Sequence, residues 1–241
     1  MTRPDEAALA RLESRIIRCR KCPRLVEWRE QVARVKRRAF LAEEYWGRPV
    51  PAFGAASARL VVVGLAPAAH GGNRSGRMFT GDRSGDWLYA ALHAQGFANQ
   101  AESRRRGDGL ALRDAFITAG ARCAPPDNKP TREEFSNCRP WFVDELALLA
   151  RMRVVVALGG LAWGEFLLAW RAQGGSVPSP RPRFAHGAGV ALERDSGDAI
   201  TLLGSYHPSQ QNTSTGRLTR PMLEGVFARA RGLLGAAPAG G

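Results

Sequence analysis

Apolar residues along the chain fall into two alternating kinds of pattern. Short continuous runs at residues 60–63, 116–121, 153–158 and 199–205 have the length and density of strands buried on both faces. Between them lie stretches with helical spacing. These cover 5–18, where Leu9, Leu12 and Ile16 share a face, then 25–35, 84–95, 131–150, 160–173 and 221–234. Asp82 or Ser84 is placed to cap the helix that stops near Gly96, and Thr131-Arg132-Glu133-Glu134 has the form of a capping box. Pro23 is expected to close the first helix. Strands alternating with helices predict an α/β fold, a four-stranded parallel sheet flanked by helices on both faces. One domain over residues 1–235 accommodates it, with 236–241 (AAPAGG) expected to be a disordered tail.

Three of the predicted strands end in loops rich in Gly, Pro, Asn and His. The first, within RLVVVGLAPAAHGGNRSGRMFTGD at residues 59–82, offers backbone amides and small side chains where open α/β folds bind ligands. The others are CAPPDN at 123–128 and YHPS at 206–209. Their carboxyl ends should meet along one sheet edge. The remaining stretches, 99–110, 174–189 and SQQNTSTG at 209–216, read as surface loops, with Phe184 and His186 as candidates to pack within the second.

Charge narrows the choice of partner. Thirty-five Lys and Arg against 22 Asp and Glu give +13, and residues 1–50 alone carry 13 basic and 7 acidic side chains. Such a field favours a polyanion. Nucleic acid ranks above an acidic membrane surface, because no long basic amphipathic helix has an aromatic-rich apolar face. The Lys36-Arg37-Arg38 cluster is read as a solvated face. No stretch approaches a membrane span, and the charged N-terminus lacks the apolar core of a signal peptide, so a cytoplasmic protein is expected.

The four cysteines, Cys19-x2-Cys22 and Cys123-x14-Cys138, are all that the chain has. Disulfides do not suit the cytosol, and a C-x2-C pair with two further cysteines suits a tetrahedral thiolate site. Spacing leaves zinc and a [4Fe–4S] cluster both open. Either would tie the N-terminal arm to the rest of the domain.

Taken together, GLAPAAHGGNRSGRMFTGD, the cysteine spacing, RCAPPDNKPT and SYHPSQQNTSTGRLT resemble the uracil-DNA glycosylase superfamily, in its family 5 (type B) branch. The resemblance runs from about Cys19 to Thr219. It implies a DNA repair enzyme of that fold, with a [4Fe–4S] cluster on Cys19, Cys22, Cys123 and Cys138. It also implies a monofunctional hydrolase that cleaves the N-glycosidic bond of a deaminated base in damaged DNA, double- or single-stranded. Such a protein is expected to be nucleoid-associated and monomeric. Where other branches carry a water-activating carboxylate, this chain has Leu65 and Ala66. The resemblance points instead to Asn128 as a ligand of the attacking water, with Asp82 contributing. Ala119 stands where uracil-restricted relatives place an Asn, so hypoxanthine and some modified pyrimidines should be accepted beside uracil.

The expected pocket assigns Phe79 to stacking on the flipped base, although most Phe residues serve as core. Gly64, Ala68 and Ala69 would offer main-chain amides, and His70 and Asn73 would line the site. His207 would donate a hydrogen bond to the base as negative charge develops there. Ser209 would bind phosphate, Gln210 or Gln211 would fill the gap left in the duplex, and Arg217 and Arg220 are candidate phosphate partners. Asn128 and Asp82 also have ordinary readings, as a turn residue and a helix cap. Two rivals remain: an inactive cluster- or zinc-stapled DNA-binding module, and an enzyme of free nucleotides. The latter is disfavoured because the Gly-rich loop lacks a G-K-[ST] ending.

Overall fold

The computed structural model describes residues 5–194 and 197–235. Strand β2 (Leu60–Gly64) lies at the centre, and its alternating side chains explain the two core layers. Leu60 and Val62 face one layer with Leu88, Tyr89, Leu92 and Phe227, while Val61 and Val63 face the other with Phe142, Phe166 and Trp170. Each fully buried Val or Leu contributes about 1.5–3 kcal/mol. Only a strand covered on both faces can use a run of four such residues.

Flanking β2 are β3 (Ala115–Ala119) and β4 (Val154–Leu158), and beyond β4 lies β6 (Ala199–Ser205), all parallel. These are the four expected strands. The sheet nevertheless has six, in the order β1-β3-β2-β4-β6-β5. Strands β1 (Phe53–Gly54) and β5 (Gly189–Glu193) add antiparallel edges, so the sheet is mixed. The expected four-strand count is corrected for a physical reason. A two-residue strand has no periodicity, and half-exposed β5 takes its partner from β6 rather than from its own apolar content.

Helices α4 (Arg83–Ala94) and α8 (Arg220–Gly235) cover the first layer. Helices α5 (Arg132–Leu148) and α6 (Gly160–Ala172) cover the second, with α1 (Glu6–Ile17) against α5. Asp82 caps α4 by accepting the Gly85 N–H at 2.9 Å, and Thr131 and Glu134 complete the capping box of α5. Pro23 does not end α1. It opens α2 (Pro23–Val35) at a first-turn position, where a missing N–H costs nothing. The polar stretch after β6 is not wholly loop, since Ser209 caps the short helix α7 (Gln210–Ser214). The expected tail at 236–241 lies outside the described residues. No helix among those described is long and apolar enough to cross a membrane.

Candidate active site at the carboxyl edge of the sheet

In the sheet register Gly64 lies beside Ala119, and Leu158 beside Ser205, so the three Gly/Pro-rich loops leave from one edge. The loop after β2 is joined to the end of β3 by Gly120 N–H to Gly64 O at 3.1 Å and Ala121 N–H to Leu65 O at 3.0 Å. On the other side, Gly159 N–H donates to Ser205 O at 2.8 Å. Together with the sheet register, these bonds fix the relative positions of the three loops.

The loop itself, including the one-turn helix α3 (Gly72–Ser75), is held by buried guanidinium groups. Arg74 donates to His70 O and Gly81 O and pairs with Glu43. Arg77 donates to Thr80, Ser103 and both oxygens of Asp108. Burial opposes ionisation of Asp108, but the Arg77 bonds and the amides of Leu110, Arg105 and Arg104 prevail and hold its pKa well below the usual carboxylate range. Sequence reasoning passed over both arginines. Their adjacency to a Gly-rich loop is the only trace they leave in the sequence.

Against this scaffold Phe79 and His207 meet. Their ring centroids are 5.9 Å apart with planes 33° from parallel. Phe79 has φ 51°, a left-handed conformation that is costly for a bulky residue and characteristic of sites where strain is kept for function. Gly64 permits it: a Cβ there would come within 2.8 Å of the Phe79 ring. His207 is set by its neighbours on either side. The Asn212 side chain donates to its carbonyl at 2.8 Å, and the preceding Tyr206 N–H donates to His186 Nδ1 at 3.2 Å. The His186 and Tyr206 rings stack at 5.1 Å, which gives His186 a packing role within a Gly/Pro-rich loop. Burial pushes the His207 pKa down to about 4, so its imidazole is neutral at pH 7.

Other expected site residues are placed differently. Asn128 is exposed on the turn after β3, at φ 56° next to Asp127 at φ 54°. Asp82 is spent partly on its helix cap, and its carboxyl lies where a Cβ on Gly71 would collide with it. Burial raises its pKa. Gly64 is buried at the base of the loop, with Ala68 and Ala69 half-buried beyond it. Asn73 has 0% exposure and donates to Arg29 O at 3.2 Å, which pins the loop to α2. His70 uses Nδ1 on the Tyr45 hydroxyl at 3.0 Å and likewise holds the loop in place. In the last loop, Ser209 Oγ accepts Asn212 N–H at 3.4 Å while Gln210 and Gln211 are exposed. The Arg217 guanidinium lies 4.7 Å over the Tyr206 ring and that of Arg220 4.9 Å over Trp87. Lys129, next to Asn128, is exposed.

All four cysteines line a single cavity between α1, α2 and α5, together with Arg29, Arg122 and Trp141. Among the described residues no three Cys, His, Asp or Glu side chains stand ready to hold one metal ion. The cavity's polar chemistry nonetheless fits an anionic sulfur-rich group. Arg29 Nη1 donates to Cys123 Sγ at 2.8 Å and Asn137 to Cys22 Sγ at 3.7 Å. Arg29 Nε, Arg122 Nε and Nη1, and Trp141 Nε1 are buried donors without a partner among the described residues. Burial pushes the Cys123 thiol up to about 11 and Cys138 up to about 12.

Comparison with known proteins places the chain. The family described as "Uracil DNA glycosylase superfamily" matches residues 51–231. A protein of Mycobacterium tuberculosis named "Type-5 uracil-DNA glycosylase" is 53% identical over 229 residues, 95% of this chain and 82% of that protein. One of the same name from Thermus thermophilus is 51% identical over 217 residues, 90% of this chain and 94% of its own. A "Type-4 uracil-DNA glycosylase" of Pyrobaculum aerophilum is 27% identical over 222 residues, 92% of this chain and 90% of that protein.

Proposed function

The chain belongs to the uracil-DNA glycosylase superfamily, and on that premise we propose that it flips uracil out of DNA and hydrolyses its N-glycosidic bond, leaving an abasic site. The observation that carries the reading is the Phe79–His207 pair at the strand ends. A 5.9 Å separation is too small for a base between the rings, which would need two contacts of about 3.5 Å each. The base would therefore lie against Phe79 with His207 at its edge. Base–aromatic stacking contributes about 1–3 kcal/mol toward the cost of extrusion.

As the C1′–N bond breaks, its electron pair goes to the base and positive charge stays on the sugar. A neutral His207 can donate its N–H to the base anion without first having to be protonated, and one such preorganised donor lowers a barrier by about 2.7–4 kcal/mol. Water then attacks C1′ and loses a proton. Asn128 would orient that water on closure around DNA, and Asp82 would stabilise the sugar cation or accept the proton, the lesser role given its cap. Ala119, buried beside Gly64, offers no amide to discriminate the base edge, which supports acceptance of hypoxanthine and some modified pyrimidines. Ser209, Gln210, Gln211 and Arg217 would meet the DNA around the gap.

The four cysteines would hold a [4Fe–4S] cluster, with zinc the alternative. When bound it supplies a cross-link between the N-terminal arm and α5, and no step of the hydrolysis passes through it. The test is incubation with uracil-containing duplex followed by alkali. Strand breaks at the uracil positions are expected, and none with thymine in its place. Tight, salt-sensitive binding without breaks would leave only a DNA-binding module.

A further inference from the structure

The N-terminal charge has a structural setting away from the pocket. The end of α1, the outer side of α2 and residues 45–48 enclose a cleft of about 480 Å³ lined by Arg18, Arg20, Arg34, Arg48 and Trp46. Its carboxylate, Glu30, is taken by Arg20 at 2.5 Å. Arg18, Arg34 and Arg48 are exposed, and among the described residues their guanidinium groups make no hydrogen bond or ion pair. Those of Arg48 and Arg106 lie over the Trp46 ring at 5.6 and 4.8 Å.

The cleft is continuous with the Gly-rich loop. Trp46 N–H donates to Arg74 O at 2.9 Å and Gly47 N–H to Asn73 O at 3.1 Å, while Tyr45 holds His70. A second arginine-lined cleft makes an instructive contrast. At the opposite, amino edge of the sheet it holds Arg59, Arg151, Arg153 and Arg194. There Arg59 is bound to Asp114 and Leu234 O, and Arg194 to Met152 O. Two of those four arginines are thus used to hold the fold together. Along α1 and α2 the free guanidinium groups face water beside the loop that would receive the base.

We infer that the α1–α2 cleft binds the sugar-phosphate backbone of the duplex arm flanking the flipped nucleotide. Guanidinium forks suit phosphate oxygens, and with Glu30 engaged the cleft has no free carboxylate to read base edges, so the contact is independent of sequence. This inference rests on the reading of the protein as a DNA enzyme.

The experiment compares Arg34→Gln/Arg48→Gln with the charge-matched Arg151→Gln/Arg153→Gln, both in a His207→Ala background that slows turnover. Affinity for a long U·G duplex is measured by anisotropy across salt concentrations. The cleft pair is expected to reduce the slope of log K against log[salt] by about 1.8, some 0.9 per phosphate lost, and the control pair to leave it unchanged. Removing the duplex arm on one side should abolish the difference. With His207 intact, the single-turnover rate at saturating DNA should match the parent. Equal changes in both pairs, or an unchanged slope in the cleft pair, overturn the inference. If the double variant does not fold, Arg48→Gln alone, expected to lose about 0.9 in slope, decides by the same criteria. An unchanged slope with normal excision defeats the cleft alone. A changed slope in a protein that never releases uracil defeats the glycosylase reading and leaves the cleft standing.

Discussion

The Gly-rich loop and the cysteine cavity both bury charge, and they balance it in opposite ways. In the loop nearly every buried polar group has a partner: Arg74 and Arg77 bind six protein groups between them, Tyr89 Oη donates to Met78 O, and Asn73 Oδ1 is the loop's sole orphan among the described residues. In the cavity the donors of Arg29, Arg122 and Trp141 are left over, and the thiols beside them resist ionisation. An unpaired buried donor costs about 1–3 kcal/mol, so the two regions have different needs. The loop is preorganised by the chain alone, whereas the cavity keeps donors that the chain itself does not satisfy among the described residues. Activity should therefore follow the loop and stability the cavity.

The largest effect expected of that contrast is His207→Ala. Single-turnover excision should fall by about 10²–10³-fold, the loss for one preorganised donor, with thermal stability and DNA affinity nearly unchanged. A full rate in that variant would remove His207 from the mechanism. Next, Cys138→Ser should bleach the brown absorbance expected of a cluster and lower Tm by about 5 °C or more, the shift that a loss near 2 kcal/mol produces at this chain length. The excision rate per folded molecule should hold. If rate and Tm fell together, the two regions would be one functional unit and the contrast would break.

The smallest effect is in pH dependence, where His207 and Glu13 pull in opposite directions. His207 has its pKa lowered from 6.5 to about 4 by burial, so the unfolded chain binds the extra proton, and stability is lost as pH falls from about 6.5 toward 4. Glu13, on α1, has its pKa raised from 4.5 to about 7 by burial and by Glu145. The folded state holds that proton, and stability is lost as pH rises from about 4.5 through 7. Glu13→Gln should thus stabilise by about 1 kcal/mol at pH 8, discounted for partial exposure, and by almost nothing at pH 4. Chemical denaturation at the two pH values would measure it, and equal gains at both would refute the assignment.

Sequence pattern determined the four parallel strands, most helix boundaries, the Thr131 cap, a cap for α4 at Asp82 or Ser84, and the convergence of three Gly/Pro-rich loops on one sheet edge. Each of these follows from local periodicity or from a cap within a few residues. Tertiary structure alone decided the antiparallel edges: β1 is too short to leave a pattern and pairs with the distant β3, and β5 is half-exposed and is held by its pairing with β6. It alone decided that Asn73 and His70 brace the loop, that Phe79 adopts a left-handed backbone over Gly64, and that His186 positions the segment before His207. Such roles depend on which groups meet across the fold, and residue identity does not carry that information: an Asn that reads a ligand and one that pins a helix are the same amino acid until burial separates them.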